Sequence, residues 1–391
     1  MTSIRIVRQI LAVQVLAFLL VFIVFPFPSI GADSDFEIPP YVQNVNNTSA
    51  RIFWKSVGRE IGGRVDYSLT TAYGVSAVGR TEYVVMNGRS QPKKGSIVRA
   101  QLTDLLPGLV YHYRVALSAS VSDDRTFRTV PEDTNAAFTF LVYGDSRSNP
   151  QMHARVVSAA LDVCQPEFVL FLGDAVVSSS NRQSVWVEQF FGPVAPLLKK
   201  SWLLFTRGNH ERSSWLLSLY SGPPGGKQGS DYYSFDWGPV HVVTIDTNKP
   251  YLPGSEQYQF LKRDLAASSR PFKVFFGHHP AYSSGRDGST KEMQKYLQPL
   301  FEEAGVRLVL AGHHHDYERT IVKGITYVVS GGGGAPLHGQ EHLDKNPNSL
   351  VFRKSHHFVK VDVVPGAMVL TAWVVDNDAV STIVDRAVIT P

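Results

Sequence analysis

The chain has 391 residues, with 43% hydrophobic and 18% charged content, which excludes a disordered or fibrous protein and allows two ordinary domains. Its formal net charge is +4, from 38 basic and 34 acidic residues; taking Arg5 and Arg8 away with the leader described next leaves 36 basic residues. So small an excess excludes a surface-wide attraction for nucleic acid or another polyanion. Cys164 is the one cysteine, so no intrachain disulfide forms, and it reads as a small core residue.

Residues 1–32 have the order of a secretory signal peptide. Arg5 and Arg8 precede an apolar run from Ile10 to Phe27, and the small residues Ser29, Gly31 and Ala32 follow. Cleavage after Gly31 or Ala32 is expected, and with it export to the periplasm, cell surface or exterior. The alternative is an uncleaved anchor, at the short end of the ~17–25 residues that a membrane span needs. That leader is the single membrane contact expected.

From residue 37 to 130 the pattern is all-β. Ala50-Arg51-Ile52-Phe53-Trp54 and Arg64-Val65-Asp66-Tyr67-Ser68 alternate at period two, and Leu105-Leu106-Pro107-Gly108 makes a turn before Val110–Val115. This segment looks like a fibronectin type III sandwich, with Trp54 as core aromatic and Tyr111 or Tyr113 as tyrosine corner. Residues 131–135 read as a linker.

From 136 to 391 strands alternate with helices. Strands are expected at Phe138–Tyr143, Phe168–Leu172, Trp202–Thr206, Phe272–Phe276 and Arg307–Ala311. Helices are expected at Met152–Cys164, Ser184–Leu198, Glu256–Ala267 and Lys291–Glu303, and further strands between Ile325 and Ile389. This is an α/β domain of covered sheets.

The informative residues follow those five strands. They are Gly144-Asp145, Gly173-Asp174, Gly208-Asn209-His210-Glu211, Gly277-His278-His279-Pro280 and Gly312-His313-His314-His315. Each begins with Gly, read as allowing a tight turn, and then offers a metal-competent side chain. Ligands collect beyond the carboxyl ends of strands in open α/β sheets, so these groups are expected at one edge. Carboxylate, amide oxygen and imidazole suit iron, zinc or manganese. An extended backbone at the histidine triplet is expected to turn His313 and His315 to the metals and His314 away.

The series resembles the calcineurin-like metallophosphoesterases, and within them the purple acid phosphatase branch. Asp316-Tyr317-Glu318-Arg319 and Gly331-Gly332-Gly333-Gly334-Ala335-Pro336 add to the likeness. The resemblance implies an α/β sandwich of two packed sheets flanked by helices. It implies a dinuclear centre with Asp145 and His315 on the first ion, Asn209, His278 and His313 on the second, and Asp174 bridging. It further implies hydrolysis of small-molecule phosphate esters by in-line attack of metal-activated water, with His210 contacting phosphate and assisting the leaving oxygen. A phosphodiesterase or nucleotidase, or a surface binding protein with a degenerate site, are the alternatives.

Two positions depart from the family. Val177 stands where the branch has a tyrosine ligand, which implies a protein without the purple colour. Arg147 stands where related enzymes place a histidine. A cation there suits the substrate phosphate, or else a salt bridge to a neighbouring carboxylate.

Overall fold

Strands paired into sheets account for most of the architecture, with helices covering the sheets of the C-terminal region. The structure is a computed structural model that describes residues 32–57, 62–82, 85–86, 89–90, 97–177, 183–211, 232–378 and 381–391. The expected leader lies outside these residues apart from Ala32. No described helix is long and apolar enough to cross a membrane.

The N-terminal strands are β1 (Phe36–Gln43), β2 (Ala50–Ser56), β3 (Arg64–Ser68), β4 (Val75–Val78), β5 (Arg80–Glu82), β6 (Val85–Met86), β7 (Arg89–Ser90), β8 (Ile97–Leu102), β9 (Val110–Ala116) and β10 (Arg125–Arg128). Two four-stranded sheets, in the orders β1-β2-β8-β5 and β10-β9-β3-β4, enclose one core. Trp54, Val65, Val98, Tyr113 and Val115 fill it, because alternate residues of each strand point the same way. The Tyr111 hydroxyl accepts the Leu106 N–H at 2.8 Å, tying the strand to its preceding turn.

The following strands are β11 (Phe138–Tyr143), β12 (Phe168–Phe171), β13 (Trp202–Phe205), β14 (Tyr233–Trp237), β15 (Val240–Thr244), β16 (Phe272–Gly277), β17 (Val306–Ala311), β18 (Tyr317–Val322), β19 (Ile325–Ser330), β20 (Ser349–Arg353), β21 (His357–Val364), β22 (Ala367–Val375) and β23 (Ser381–Ile389). They form a six-stranded sheet, β13-β12-β11-β21-β22-β23, and a seven-stranded sheet, β14-β15-β16-β17-β19-β18-β20.

The sheets face each other across Phe140, Val142, Leu170 and Leu204 on one side and Val274, Phe276, Leu308 and Leu310 on the other. The intervening residues pack outward. Leu141, Val169 and Phe171 meet helical residues such as Val156, Phe190 and Leu197, and Phe275 meets Leu261 and Phe301. Burial on both faces explains why these strands read as continuous apolar runs. An N-terminal β region followed by an α/β domain of two packed, helix-covered sheets is the expected fold.

Two helices differ in detail from the expectation. Ser184–Leu198 is Gln183–Trp186, a π turn Val187–Phe191 and Gly192–Leu198; the last helix likewise has a π turn, Met293–Leu297, before Gln298–Ala304. Each π turn closes just before a proline, Pro193 or Pro299. The proline ring crowds the preceding turn, and the wider π turn relieves the clash.

The 131–135 segment is a turn, but the two regions it joins also meet directly. Ile38, Tyr41 and Phe53 share a core with Phe191 and Leu198, and Gln43 donates to the Leu203 carbonyl at 3.1 Å. Residues 32–391 form one compact unit.

Candidate metal centre

Each chain segment quoted for its chemistry leaves the end of a strand, but from two different sheets. β11, β12 and β13 of the six-stranded sheet lead to Asp145, Asp174 and Asn209-His210. β16 and β17 of the seven-stranded sheet lead to His278 and to His313 and His315. The single edge expected is therefore a junction of two facing sheets. Within each sheet neighbouring loops are tied, Asp145 donating its N–H to the Gly173 carbonyl at 2.9 Å and Gly312 to His278 at 3.0 Å, and Ala335, beyond β19, crosses to the Asp145 carbonyl at 2.9 Å.

The glycines act differently from the expectation. Among those preceding the quoted side chains, Gly173 has a positive φ, whereas the turns are made by Asp145, Asp174 and His313 themselves, at φ of 57°, 56° and 70°. Such backbone costs about 1–3 kcal/mol per residue and persists where surroundings enforce it. The glycines are needed for space. A Cβ on Gly208 would lie 2.2 Å from Asp174 Oδ1, and one on Gly312 would lie 2.4 Å from Asp145 Oδ2.

The left-handed His313 also replaces the extended backbone expected at the triplet. His313 and His315 still face the centre while His314 turns away. His314 Nε2 accepts the Asp287 N–H at 3.3 Å, and its Nδ1 lies 2.6 Å from Ser283 Oγ.

Donor atoms of Asp145, Asp174 and His278 fall within 4.8 Å of one another. His278 Nδ1 lies 2.7 Å from the Leu172 carbonyl, which can only accept, so Nδ1 carries the proton. Burial, then neighbouring His279, keeps the ring well below the usual histidine range. The neutral ring thus turns its Nε2 lone pair to Asn209 Oδ1, 3.0 Å away. His313 Nδ1 meets the same oxygen at 3.0 Å, and Asp174 Oδ1 lies 3.6 Å from His278 Nε2. Lone pairs brought this close in a buried site are the donor set of a cation.

A second set lies beside it. His315 Nδ1 faces the Pro336 carbonyl at 2.6 Å and so carries the proton, leaving the Nε2 lone pair 3.5 Å from Asp145 Oδ1. That Asp145 oxygen is buried and, among the described residues, has no hydrogen-bond partner. Burial, and then the nearby Asp174, pushes the Asp145 carboxyl well above its usual range. A positive charge between the two carboxylates is the physical remedy. The donors of both sets fit hard or borderline metal ions.

Arg147 lies against the second set. Its Nε is 3.3 Å from Asp174 Oδ2, and its terminal nitrogen is 3.4 Å from His315 Nε2. His210 Nδ1 is 2.6 Å from the Val177 carbonyl, and its Nε2 points inward, 3.7 Å from Asp174 Oδ2.

Sequence reasoning gave no role to Glu211. Its buried carboxylate accepts the N–H groups of Asp174 and Gly208 on one oxygen and of Ala175 on the other, each at 2.8 Å. Its place in the Gly208–Glu211 run was the available signal. His338 was also missed; its ring stacks on His315 with centroids 4.0 Å apart, and no local motif marks it. The glycine run packs against the site, where a Cβ on Gly331 would lie 2.2 Å from the His314 carbonyl oxygen.

Residues 138–317 match the calcineurin-like phosphoesterase family. The chain is 29% identical over 294 residues to "Probable purple acid phosphatase 20" of Arabidopsis thaliana, covering 67% of this chain and 66% of that protein. It is 32% identical over 202 residues to "Probable inactive purple acid phosphatase 9" of the same plant, covering 41% and 31%. The chain thus spans less than two thirds of the length of these curated relatives. Its fold is similar to that of a purple acid phosphatase from yellow lupin (Lupinus luteus) seeds. The TM-score is 0.75 and the identity 18%, over 89% of this chain and 73% of that one. The calcineurin-like phosphoesterase match, together with the two donor sets, implies a dinuclear metal centre. Residues 138–317 are therefore a calcineurin-like phosphoesterase domain, and the purple acid phosphatases are homologues that share its fold.

Proposed function

We propose that the chain is an exported, metal-dependent phosphoesterase that hydrolyses phosphate monoesters of small molecules. The observation that carries this reading is the inward turn of the His278 and His315 lone pairs onto the oxygens of Asn209 and Asp145. Asp145, Asp174, Asn209, His278, His313 and His315 would hold iron, zinc or manganese, with Asp174 between the two positions. Bound ions supply charge to polarise a phosphate oxygen and ionise water.

The chain's own residues do the rest. His210 donates Nδ1–H to the Val177 carbonyl, which aims Nε2 at the place where an ester oxygen departs. From there it stabilises or protonates the leaving group. Arg147 contributes a guanidinium for phosphate oxygens at the same rim. The pairing of a fibronectin-like region, over 37–130, with a catalytic domain, over 136–391, favours monoesters over diesters or nucleotides. A degenerate binding protein draws support from the relative named inactive and from the Val177 and Arg147 departures. The six donors that remain, with Asn209 and His210 adjacent and Asp174 present, speak against it.

The test compares p-nitrophenyl phosphate with bis(p-nitrophenyl) phosphate, before and after chelation. Activity should favour the monoester, vanish with chelator and return with metal, and Asp174→Asn should remove it. Turnover that survives chelation, or that survives Asp174→Asn, would overturn the proposal.

A further inference from the structure

The two donor sets are not equivalent, and Arg147 makes the difference. Around Asn209, the Nε2 of His278 and the Nδ1 of His313 converge on a neutral oxygen, and among the described residues neither nitrogen has a cationic hydrogen-bond partner. Around Asp145, the guanidinium already touches the atoms a metal would need. It lies 3.3 Å from Asp174 Oδ2 and 3.4 Å from the His315 Nε2 lone pair. The side chain is 20% exposed, so it has an open side toward which it can move.

The geometry points to Arg147 as a built-in competitor of the first metal ion. This inference rests on the metal-dependent reading above and concerns how the centre fills. A guanidinium does not lose its proton at ordinary pH. Arg147 and a divalent ion therefore cannot share Asp174 Oδ2 and His315 Nε2 without strong repulsion. Filling that position requires the guanidinium to leave both atoms for the open rim, where a phosphate oxygen can receive it. Among the described residues no guanidinium lies on His278 Nε2 or His313 Nδ1, so the position that these two nitrogens share avoids that cost. The centre thus takes one ion tightly and a second weakly, and substrate phosphate, by drawing Arg147 outward, favours the second.

Metal-stripped full-length protein is titrated with Zn²⁺ alone, and bound metal is measured by equilibrium dialysis with elemental analysis. The wild type should bind one equivalent at least about tenfold more tightly than the second. Arg147→Met should tighten the second equivalent and close most of that gap. Arg147→Lys keeps the charge but lacks the fork that spans both atoms, and should give an intermediate gap. Inorganic phosphate, which the ions also bind, should tighten the second equivalent more in wild type than in Arg147→Met. Thermal melting of each metal-stripped protein checks that the variants are folded. Two equivalents of indistinguishable affinity in wild type, or an unchanged gap in folded Arg147→Met, would overturn the competitor and leave the hydrolytic reading standing. Absence of any bound metal in wild type would overturn both.

Discussion

The Glu211 carboxylate holds the backbone of Asp174 from beneath, accepting its N–H at 2.8 Å. The same oxygen accepts from Gly208, so one buried acid fixes the loops after β12 and β13 together. Burial, then the Asp174 charge, raises the Glu211 carboxyl above its usual range, while the N–H groups it accepts favour the ionised form. A glutamine would present a donor to N–H groups that need acceptors. Glu211→Gln should therefore weaken metal affinity about 10–100-fold, as loss of a supporting contact does. Zn²⁺ titration checks this; unchanged affinity would remove Glu211 from the site's support.

His210 separates metal binding from turnover. Its inward Nε2 lies 3.7 Å from Asp174 Oδ2, outside hydrogen-bonding distance, and its other nitrogen is held by Val177. His210→Asn should lower kcat about 10²–10⁴-fold. Metal content should stay at the wild-type level. A parallel loss of metal would instead make His210 a ligand.

The pH dependence of stability has a source far from the metal ligands. His241 lies between Asp236 at 2.7 Å and Asp264 at 2.8 Å. Burial works against its charged form, but the bonds to the two carboxylates outweigh it and lift the ring to about 9. A raised histidine stabilises fully below its unfolded value of ~6.5 and loses that contribution as pH climbs to 9. About 3 kcal/mol should fade across that window. Denaturant unfolding of wild type and His241→Gln should differ in slope there; identical slopes would contradict the assignment.

Asp33 and Arg125 form a buried ion pair that ties the start of the described chain to β10. Asp33 also accepts the Asp123 N–H at 3.3 Å. Asp33→Ala would leave the guanidinium buried and unpaired, a loss of about 3–5 kcal/mol. Chemical unfolding of the variant measures it. A loss below about 1 kcal/mol would mean that water replaces the carboxylate.

The strands and the donor residues could be read from the sequence because both follow local rules. Trp202–Phe205 is apolar throughout, and Phe138–Tyr143 is apolar but for Thr139, since both faces are covered, and Asp145 and Asn209 follow within a few residues of their ends. Tertiary structure alone decided what lies between sheets. It brought β13 and β16 of different sheets together, so that Asn209 meets His278. It stacked His338 on His315 and set Arg147 across Asp174 and His315. Sequence periodicity fixes the direction of a side chain relative to its own strand. The distance between atoms on separate sheets depends on packing, and that distance determines which charges share a site.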